Sequence, residues 1–140
     1  MATREEIVDT LSEMALFADL STPQLADIAG RFEETFFPEG ATVLRQGLRG
    51  SGFYVILDGE ASVVIDGDRR ATLGKGDYFG EVSVLLDEPP VADIVATRPL
   101  RCLVLDGPAL EPFLMSFSRV VFRMLIAQTR RLRSANRWRN

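Results

Sequence analysis

The stretch FGEVSVLLDEPPVAD, residues 79–93, begins in the manner of an anion-binding site. Its glycine and glutamate open a turn into a short helix, where backbone N–H groups can face a phosphate. Further along, where a cation would complete such a site, the chain has Pro90 and then Asp93. The stretch therefore indicates a small-ligand pocket, but one that lacks the positive charge a bound anion needs.

The chain contains no histidine and a single cysteine. Without histidine it lacks the commonest general base, most zinc and iron ligands, and every Ser–His or Cys–His dyad. Cys102 lies in the apolar run LRCLVL, which predicts a buried and unreactive thiol. We therefore expect a protein without enzymatic activity, and we assign no catalytic residue, no metal ligand and no certain cofactor.

The overall composition is that of a globular protein. Of the 140 residues, 46% are hydrophobic and 26% are charged, which is typical of one compact domain. No apolar run approaches the roughly 20 residues that a membrane span requires. The N-terminus MATREEIVDT carries acids where a signal peptide would be apolar. We therefore expect a cytoplasmic protein with no membrane span.

The charges are distributed unevenly along the chain. Residues 1–118 contain 9 basic and 20 acidic side chains, a balance of −11. Residues 119–140 contain no acid and seven arginines: Arg119, Arg123, Arg130, Arg131, Arg133, Arg137 and Arg139. Such a tail can attract an acidic partner, a nucleic acid or a membrane surface. Alternatively, arginines near a helix C-terminus stabilise the helix dipole and keep one face in water.

Two helices are predicted within residues 1–32. Thr3 and Glu6 have the spacing of a capping box at the start of the first helix. Ser21 or Thr22 can cap the second helix, which the following proline suits as a first-turn residue. Apolar residues at helical spacing give each helix one buried stripe.

Short strands are predicted throughout residues 33–106, and the Asp-Gly of VVIDGDRRATL predicts a two-residue hairpin. A short helix at residues 79–86 interrupts the strands, and helical periodicity returns in residues 107–140. Regular short strands without long intervening helices favour an antiparallel roll. We therefore predict one α+β domain over residues 1–140: an antiparallel β-roll of the double-stranded jelly-roll type, between N-terminal helices and a C-terminal helix pair.

The last helix, from about residue 116 to 134, carries two apolar stripes. One has the 4-3-4 spacing of a coiled-coil seam and predicts a homodimer: Phe117, Val121, Met124, Gln128 and Leu132. The other is predicted to pack on the roll: Phe113, Phe122, Leu125 and Ile126. A wholly intramolecular role for both stripes is the alternative.

The order of these elements, with the FGE turn inside the roll, resembles the cyclic nucleotide-binding domain family. This is the module of the bacterial cAMP receptor protein and of the protein kinase A regulatory subunit. The resemblance covers about residues 17–133. Four segments carry it: FFPEGATVLRQG (36–47), SGFYVILDGEASVV (51–64), LGKGDYFGEVSVL (73–85) and ADIVATRPLRCLVL (92–105).

The resemblance implies a phosphate-binding cassette that starts at the FGE turn, with cAMP or cGMP as the candidate ligand. By analogy with the family, the Glu81 carboxylate accepts a hydrogen bond from the ribose 2′-hydroxyl. The backbone amides of Gly80, Val82 and Ser83 approach the cyclic phosphate. These four residues keep the family pattern.

The segment after this turn departs from the family. Where the family has an arginine that pairs with the phosphate, this chain has Pro90. Val91 keeps a backbone amide, and Asp93 stands where many members carry threonine or serine. Losing the arginine weakens binding roughly 10- to 100-fold, and an ionised Asp93 at about 5 Å adds about 3 kcal/mol of repulsion. We expect cAMP and cGMP binding to be weakened or lost unless another arginine reaches the site. The candidates for that role are Arg45, Arg49 and Arg98.

Two functions remain open at this point. The first is a stand-alone regulatory or sensor module whose ligand repositions the terminal helix. The second is a ligand-free interaction or dimerisation module, in which the segment RRLRSANRWRN (130–140), including Trp138, engages an unknown protein partner. Sequence-specific DNA binding is not expected, because the chain stops at Asn140 without a helix-turn-helix.

Overall fold

The computed structural model describes residues 2–48 and 52–136, and within them the chain forms five α-helices and eight β-strands. The helices are α1 (Arg4–Ser12), α2 (Thr22–Arg31), α3 (Glu81–Leu86), α4 (Gly107–Ser116) and α5 (Ser118–Asn136). The strands are β1 (Glu33–Phe37), β2 (Thr42–Leu44), β3 (Gly52–Asp58), β4 (Ala61–Ile65), β5 (Asp68–Leu73), β6 (Tyr78–Phe79), β7 (Asp93–Ala96) and β8 (Leu100–Asp106). A 3₁₀ turn (Ala15–Phe17) follows α1.

Both N-terminal helices begin with a capping box. The Thr3 hydroxyl accepts a hydrogen bond from the Glu6 N–H at 3.2 Å, and the Glu6 carboxylate accepts one from the Thr3 N–H at 3.4 Å. The cap of α2 is Ser21 rather than Thr22, and its hydroxyl accepts from the Gln24 N–H at 3.3 Å. Each box satisfies N–H groups that have no partner inside the helix, which is why the helices begin at these residues.

The strands form two antiparallel four-stranded sheets, with the orders β1-β8-β3-β6 and β2-β7-β4-β5. The predicted hairpin joins β4 to β5, where Ile65 pairs with Asp68 across a two-residue turn. Asp66 and Gly67 both have positive φ, 52° and 82°, which such a turn requires. The predicted α+β class and the antiparallel β-roll flanked by helices are confirmed.

Strand β3 divides the interior into two cores. Phe53, Val55 and Leu57 lie in a core shared with the helices, whereas Ile56 lies in a second core enclosed between the sheets. This follows because alternate residues of a strand face opposite sides of the sheet. Cys102 lies in the second core, where burial raises the pKa of its thiol to about 12. The predicted buried thiol is confirmed.

The predicted seam on α5 needs correction. Phe117 and Met124 are 6% exposed each and lie in the core shared by the helices and the first sheet. Val120, one helical turn from Met124, is fully buried beside them. Phe117 and Met124 therefore cannot meet a second helix, because they already pack within the chain.

The second predicted stripe is also partly wrong. Phe113 is buried as expected, but Phe122 and Leu125 are 50% and 61% exposed. Periodicity identified two apolar stripes without indicating which one faces the roll. The face of α5 that is directed away from the core carries four exposed apolar side chains: Val121, Phe122, Leu125 and Leu132.

Some predicted features lie outside the described residues. Arg49 is one of them, and so are Arg137, Trp138 and Arg139 of the C-terminal tail. Within the described ranges, none of the helices has the length and hydropathy of a membrane span.

Candidate functional site

A cavity of about 370 Å³ lies between the turn into α3, the segment after α3 and the second sheet. Six of the seven predicted pocket residues line it: Gly80, Glu81, Val82, Ser83, Pro90 and Val91. Asp93, the seventh, is not among the lining residues. The volume lies within the range of small-molecule sites in proteins. The fold thus brings residues from two ends of the predicted cassette to one concave surface.

Gly80 shapes the turn that opens the cassette. It has φ of 92° and precedes the first turn of α3. A Cβ at this position would lie 2.1 Å from the Gly52 carbonyl oxygen. Only glycine fits, because a side chain would be strained at this φ and would also clash with β3. The close approach sets Glu81 at the mouth of the roll.

Glu81 is the buried charged group of the cavity, with 2% of its surface exposed. Its Oε1 accepts hydrogen bonds from Gln128 Nε2 at 2.7 Å and from Arg131 Nη1 at 3.3 Å. Its Oε2 is buried and has no hydrogen-bond partner among the described residues. An unsatisfied buried oxygen is costly, so Oε2 is an acceptor that a ligand hydroxyl or N–H would satisfy.

Arg131 lies between Glu81 and an aromatic ring. Its guanidinium carbon is 4.9 Å from the centre of the Tyr78 ring, a distance typical of a cation–π contact. Burial raises the pKa of Tyr78 to about 12, although the nearby Arg131 charge opposes the rise. Tyr78 is therefore a neutral hydroxyl at physiological pH. These contacts hold the end of α5 over the cavity.

Ser83 joins α3 to the segment that follows it through two hydrogen bonds to Glu88. Its hydroxyl donates to the carbonyl oxygen of Glu88, and the Glu88 N–H donates to the Ser83 carbonyl oxygen at 3.1 Å. The hydroxyl is therefore engaged within the cassette. The paired bonds reverse the chain after α3 and direct the following prolines toward the cavity wall.

Pro90 and Asp93 serve the structure of the cassette. Pro90 is buried, and its carbonyl oxygen accepts from the Gly47 N–H at 2.9 Å. The Asp93 carboxylate accepts from the Gln46 N–H at 2.6 Å, so it caps the turn after β2. Pro90 offers the cavity neither an N–H nor a side-chain donor.

The charges around the cavity do not favour an anion. Among the described residues that line it, the carboxylates are those of Glu81 and Glu88, and the single cation is Arg131, which pairs with Glu81. Arg45 and Arg98, predicted as substitutes for the missing cassette arginine, are not among the lining residues. Most of the remaining wall is apolar, with side chains from the second sheet: Leu44, Val63, Ala71, Leu73 and Ile94.

Sequence reasoning missed Gln128 and Arg131 as site residues. The sequence pattern places Gln128 in the predicted dimer seam and Arg131 in the arginine-rich tail. A signal was present, because the buried stripe of Val120 and Met124 continues at helical spacing to these two polar residues. A buried helix face that turns polar over its last two positions indicates contact with a polar group of the core.

The chain is similar to known ligand-binding modules. Residues 34–117 match the family described as the cyclic nucleotide-binding domain. The cGMP-dependent protein kinase egl-4 of Caenorhabditis briggsae is 34% identical over 76% of this chain, which spans 15% of the length of that kinase. A cyclic nucleotide-binding domain from Methylobacillus flagellatus KT superposes with a TM-score of 0.79 at 27% identity, covering 95% of this chain and 80% of that one.

A third relative is the regulatory subunit of a cAMP-independent protein kinase A from Trypanosoma brucei. It superposes with a TM-score of 0.77 at 26% identity, covering 90% of this chain and 47% of that one. A triple mutant of that subunit, in which one substitution replaces threonine by arginine, is bound to cAMP in its A site. The match over residues 34–117, together with the roll and its cassette turn, establishes that the chain belongs to the cyclic nucleotide-binding domain family.

Proposed function

We propose that the chain is a regulatory ligand-sensing module, without enzymatic activity, in which recognition of a cyclic phosphate is weakened or lost. One observation carries the proposal: Pro90 forms the cavity wall where the family has its phosphate-binding arginine. Among the described residues that line the cavity, the cation is Arg131, and it is paired with Glu81. The frame of the pocket is retained, but none of these described residues supplies an unpaired positive charge for an anion.

The expected loss of affinity follows from the missing bond. A hydrogen bond to a charged group contributes about 1.5–3 kcal/mol, so its absence weakens binding roughly 10- to 100-fold. Glu88, which lines the cavity, adds a negative charge on the same wall. Asp93 contributes less than expected, because its carboxylate is bound to the Gln46 N–H outside the cavity lining.

The Trypanosoma relative is a comparison case for the loss of cAMP recognition. It is described as cAMP-independent, and a triple mutant in which one of the three substitutions introduces an arginine is bound to cAMP. By analogy, the ligand of this chain differs from cAMP and cGMP and does not depend on a phosphate. The apolar wall and the unpaired Glu81 Oε2 favour an uncharged ligand that donates a hydrogen bond.

The contacts of Glu81 suggest how binding would be transmitted. Gln128 and Arg131 of α5 share Oε1 of Glu81, so the position of α5 depends on the state of this carboxylate. A ligand donor that competes for Glu81 would weaken those two bonds. The ligand would then shift the equilibrium between a docked and a released end of α5.

Calorimetric titration with cAMP and with adenosine tests the proposal. Adenosine is a matched probe, because it has the same base and ribose without the phosphate. We expect adenosine to bind at least as tightly as cAMP. Low-micromolar binding of cAMP, more than about tenfold tighter than adenosine, would show that phosphate recognition survives. If neither binds, the second candidate below becomes the better account.

The second candidate is an interaction module that dimerises through α5. Its support is the exposed apolar face on that helix, where Phe122, Leu125 and Leu132 are each at least half exposed. Exposed apolar residues grouped on one face are typical of protein–protein contacts. The measurement is the mass of the chain in solution by sedimentation velocity, where a monomer at every concentration would exclude this candidate.

A further inference from the structure

A second and larger concave surface lies on the other side of α3. This groove, of about 750 Å³, runs between α3, α4 and the start of α5. Its floor includes Leu85, Met115 and Val121, which are 55%, 77% and 39% exposed. Apolar side chains exposed to this degree in a groove between helices favour a macromolecular partner over an enclosed small ligand.

The groove is acidic. The carboxylates that line it are those of Asp87, Glu88 and Glu111, and none of the described lining residues is basic. Glu88 and Glu111 are both exposed, at positions where they can meet a partner's charge. Opposite charges across an interface steer encounter and fix register. The groove is therefore complementary to a segment that carries an apolar side chain between basic residues.

The chain itself contains such a segment. Arg137, Trp138 and Arg139 place a tryptophan between two arginines, which are the residue types that contribute most to binding at protein interfaces. The two parts of the chain are complementary in charge, since residues 1–118 have a balance of −11 and residues 119–140 have +7.

The reach of the tail excludes this contact within one chain. From Val121 to Asn136, α5 rises about 22 Å, at roughly 1.5 Å per residue. Two further residues span at most about 7 Å. Trp138 therefore cannot return to Val121 of its own chain, and a contact at the Val121 end of the groove must come from another molecule.

We propose that Trp138, flanked by Arg137 and Arg139, docks at the end of this groove formed by Val121, Met115 and Glu111 on a second copy of the chain. Two copies related by a two-fold axis then exchange their tails reciprocally. This inference rests on the dimerisation proposed above and adds a second contact to that of the exposed α5 face. It is independent of the ligand cavity.

Charge exchange between two variants tests the contact by sedimentation velocity. Glu111→Arg reverses the charge at one of the three acidic positions of the groove, one helical turn from Met115, and the double variant R137E/R139E reverses the tail. We expect each variant alone to dimerise at least about tenfold more weakly than the wild type, because like charges then meet. An equimolar mixture is expected to restore dimers, since in the mixed dimer the reversed tail faces the reversed charge at position 111 while the wild-type tail faces the wild-type groove. Glu39→Arg, an exposed charge reversal away from the groove, is the matched control and is expected to dimerise as the wild type does.

The outcomes separate this inference from the two proposed functions. Tail exchange is supported if the equimolar mixture forms dimers as the wild type does while each variant by itself dimerises more weakly. Dimers of Glu111→Arg as tight as the wild type, or no restoration in the mixture, overturn tail exchange and leave dimerisation through the exposed α5 face standing. A monomeric wild type overturns both tail exchange and dimerisation through the α5 face. The titration with cAMP and adenosine tests the ligand cavity independently.

Discussion

Glu81 is buried at the mouth of the cavity because the chain supplies hydrogen-bond partners for one of its two carboxylate oxygens. Burying a carboxylate costs several kcal/mol unless hydrogen bonds and an opposite charge offset the loss of water. Gln128 and Arg131 provide that offset at Oε1, while Oε2 stays unpaired among the described residues. The same arrangement makes Glu81 an anchor of α5, and in the proposed function it also leaves Oε2 to accept a hydrogen bond from the ligand.

Replacing Arg131 by alanine should therefore destabilise the protein. We expect the free energy of unfolding to fall by about 1–2 kcal/mol, less than for a fully buried pair, because the Arg131 side chain is 46% exposed. Urea denaturation at neutral pH measures the change. Arg130→Ala, at the exposed neighbouring position, is the control and should change stability by less than about 0.5 kcal/mol. Equal effects of the two variants would contradict the role given to Arg131.

Gly80→Ala tests whether the turn into α3 has room for one additional carbon atom. The added Cβ would combine a strained φ of 92° with a contact of 2.1 Å to the Gly52 carbonyl oxygen. We expect a loss of about 3 kcal/mol or more in the free energy of unfolding. Gly67→Ala is a matched control, since Gly67 also has positive φ but no atom lies within 4 Å of its Cβ position. That variant should lose only about 1 kcal/mol, and a Gly80→Ala variant no worse than this would refute the clash.

The thiol of Cys102 gives stability a dependence on alkaline pH. Burial raises its pKa from 9.0 to about 12 in the native state, so the unfolded thiol ionises first as the pH rises. The contribution of Cys102 is complete below about pH 9 and is lost as the pH approaches about 12. Between about pH 7 and about pH 10.5 the wild type should lose about 2 kcal/mol more stability than Cys102→Ala. Parallel losses in the two proteins would show that the thiol does not titrate in this way.

At the scale of elements, α5 shows what periodicity can and cannot predict. The sequence predicted the helix and two apolar stripes on it. It did not show which stripe is buried, because this depends on where α1, α2 and the first sheet lie in space. The contact of Glu81 with Gln128 joins residues 47 positions apart, so no local pattern could reveal it. Backbone features such as the capping boxes and the hairpin were predictable, since they depend on neighbouring residues alone.

Two adjacent residues of α5 test which face is buried. Met124 is 6% exposed and Leu125 is 61% exposed. Met124→Ala should lower the free energy of unfolding by about 2–4 kcal/mol, because it leaves a cavity in the core. Leu125→Ala should change it by less than about 0.5 kcal/mol when measured at protein concentrations where the chain is monomeric. Thermal and urea denaturation measure both variants, and the reverse order would place α5 with its other face inward.

At the scale of the whole molecule, the roll positions a pocket. The strands and turns that form this pocket are predictable from the sequence, whereas the direction of each side chain in it is not. The strand pattern and the glycine positions predicted the roll, and six of the seven residues that the resemblance implies for the pocket line one cavity. The resemblance implies an Asp93 carboxylate near the ligand phosphate, whereas this carboxylate accepts a hydrogen bond from the Gln46 N–H and Asp93 is not among the lining residues. Side-chain direction depends on the local backbone partner, and here that partner is the Gln46 N–H.

The central claim is that the frame of a cyclic nucleotide site persists without its phosphate-binding cation. Pro90→Arg tests it most directly, with Glu88→Gln as a companion that removes a negative charge from the same wall without adding a donor. The measurement is the cAMP dissociation constant of wild type and both variants by calorimetry. We predict that Pro90→Arg tightens cAMP binding about 10- to 100-fold, leaves adenosine binding unchanged, and exceeds the effect of Glu88→Gln. Tight cAMP binding by the wild type, with no gain from Pro90→Arg, would contradict the account.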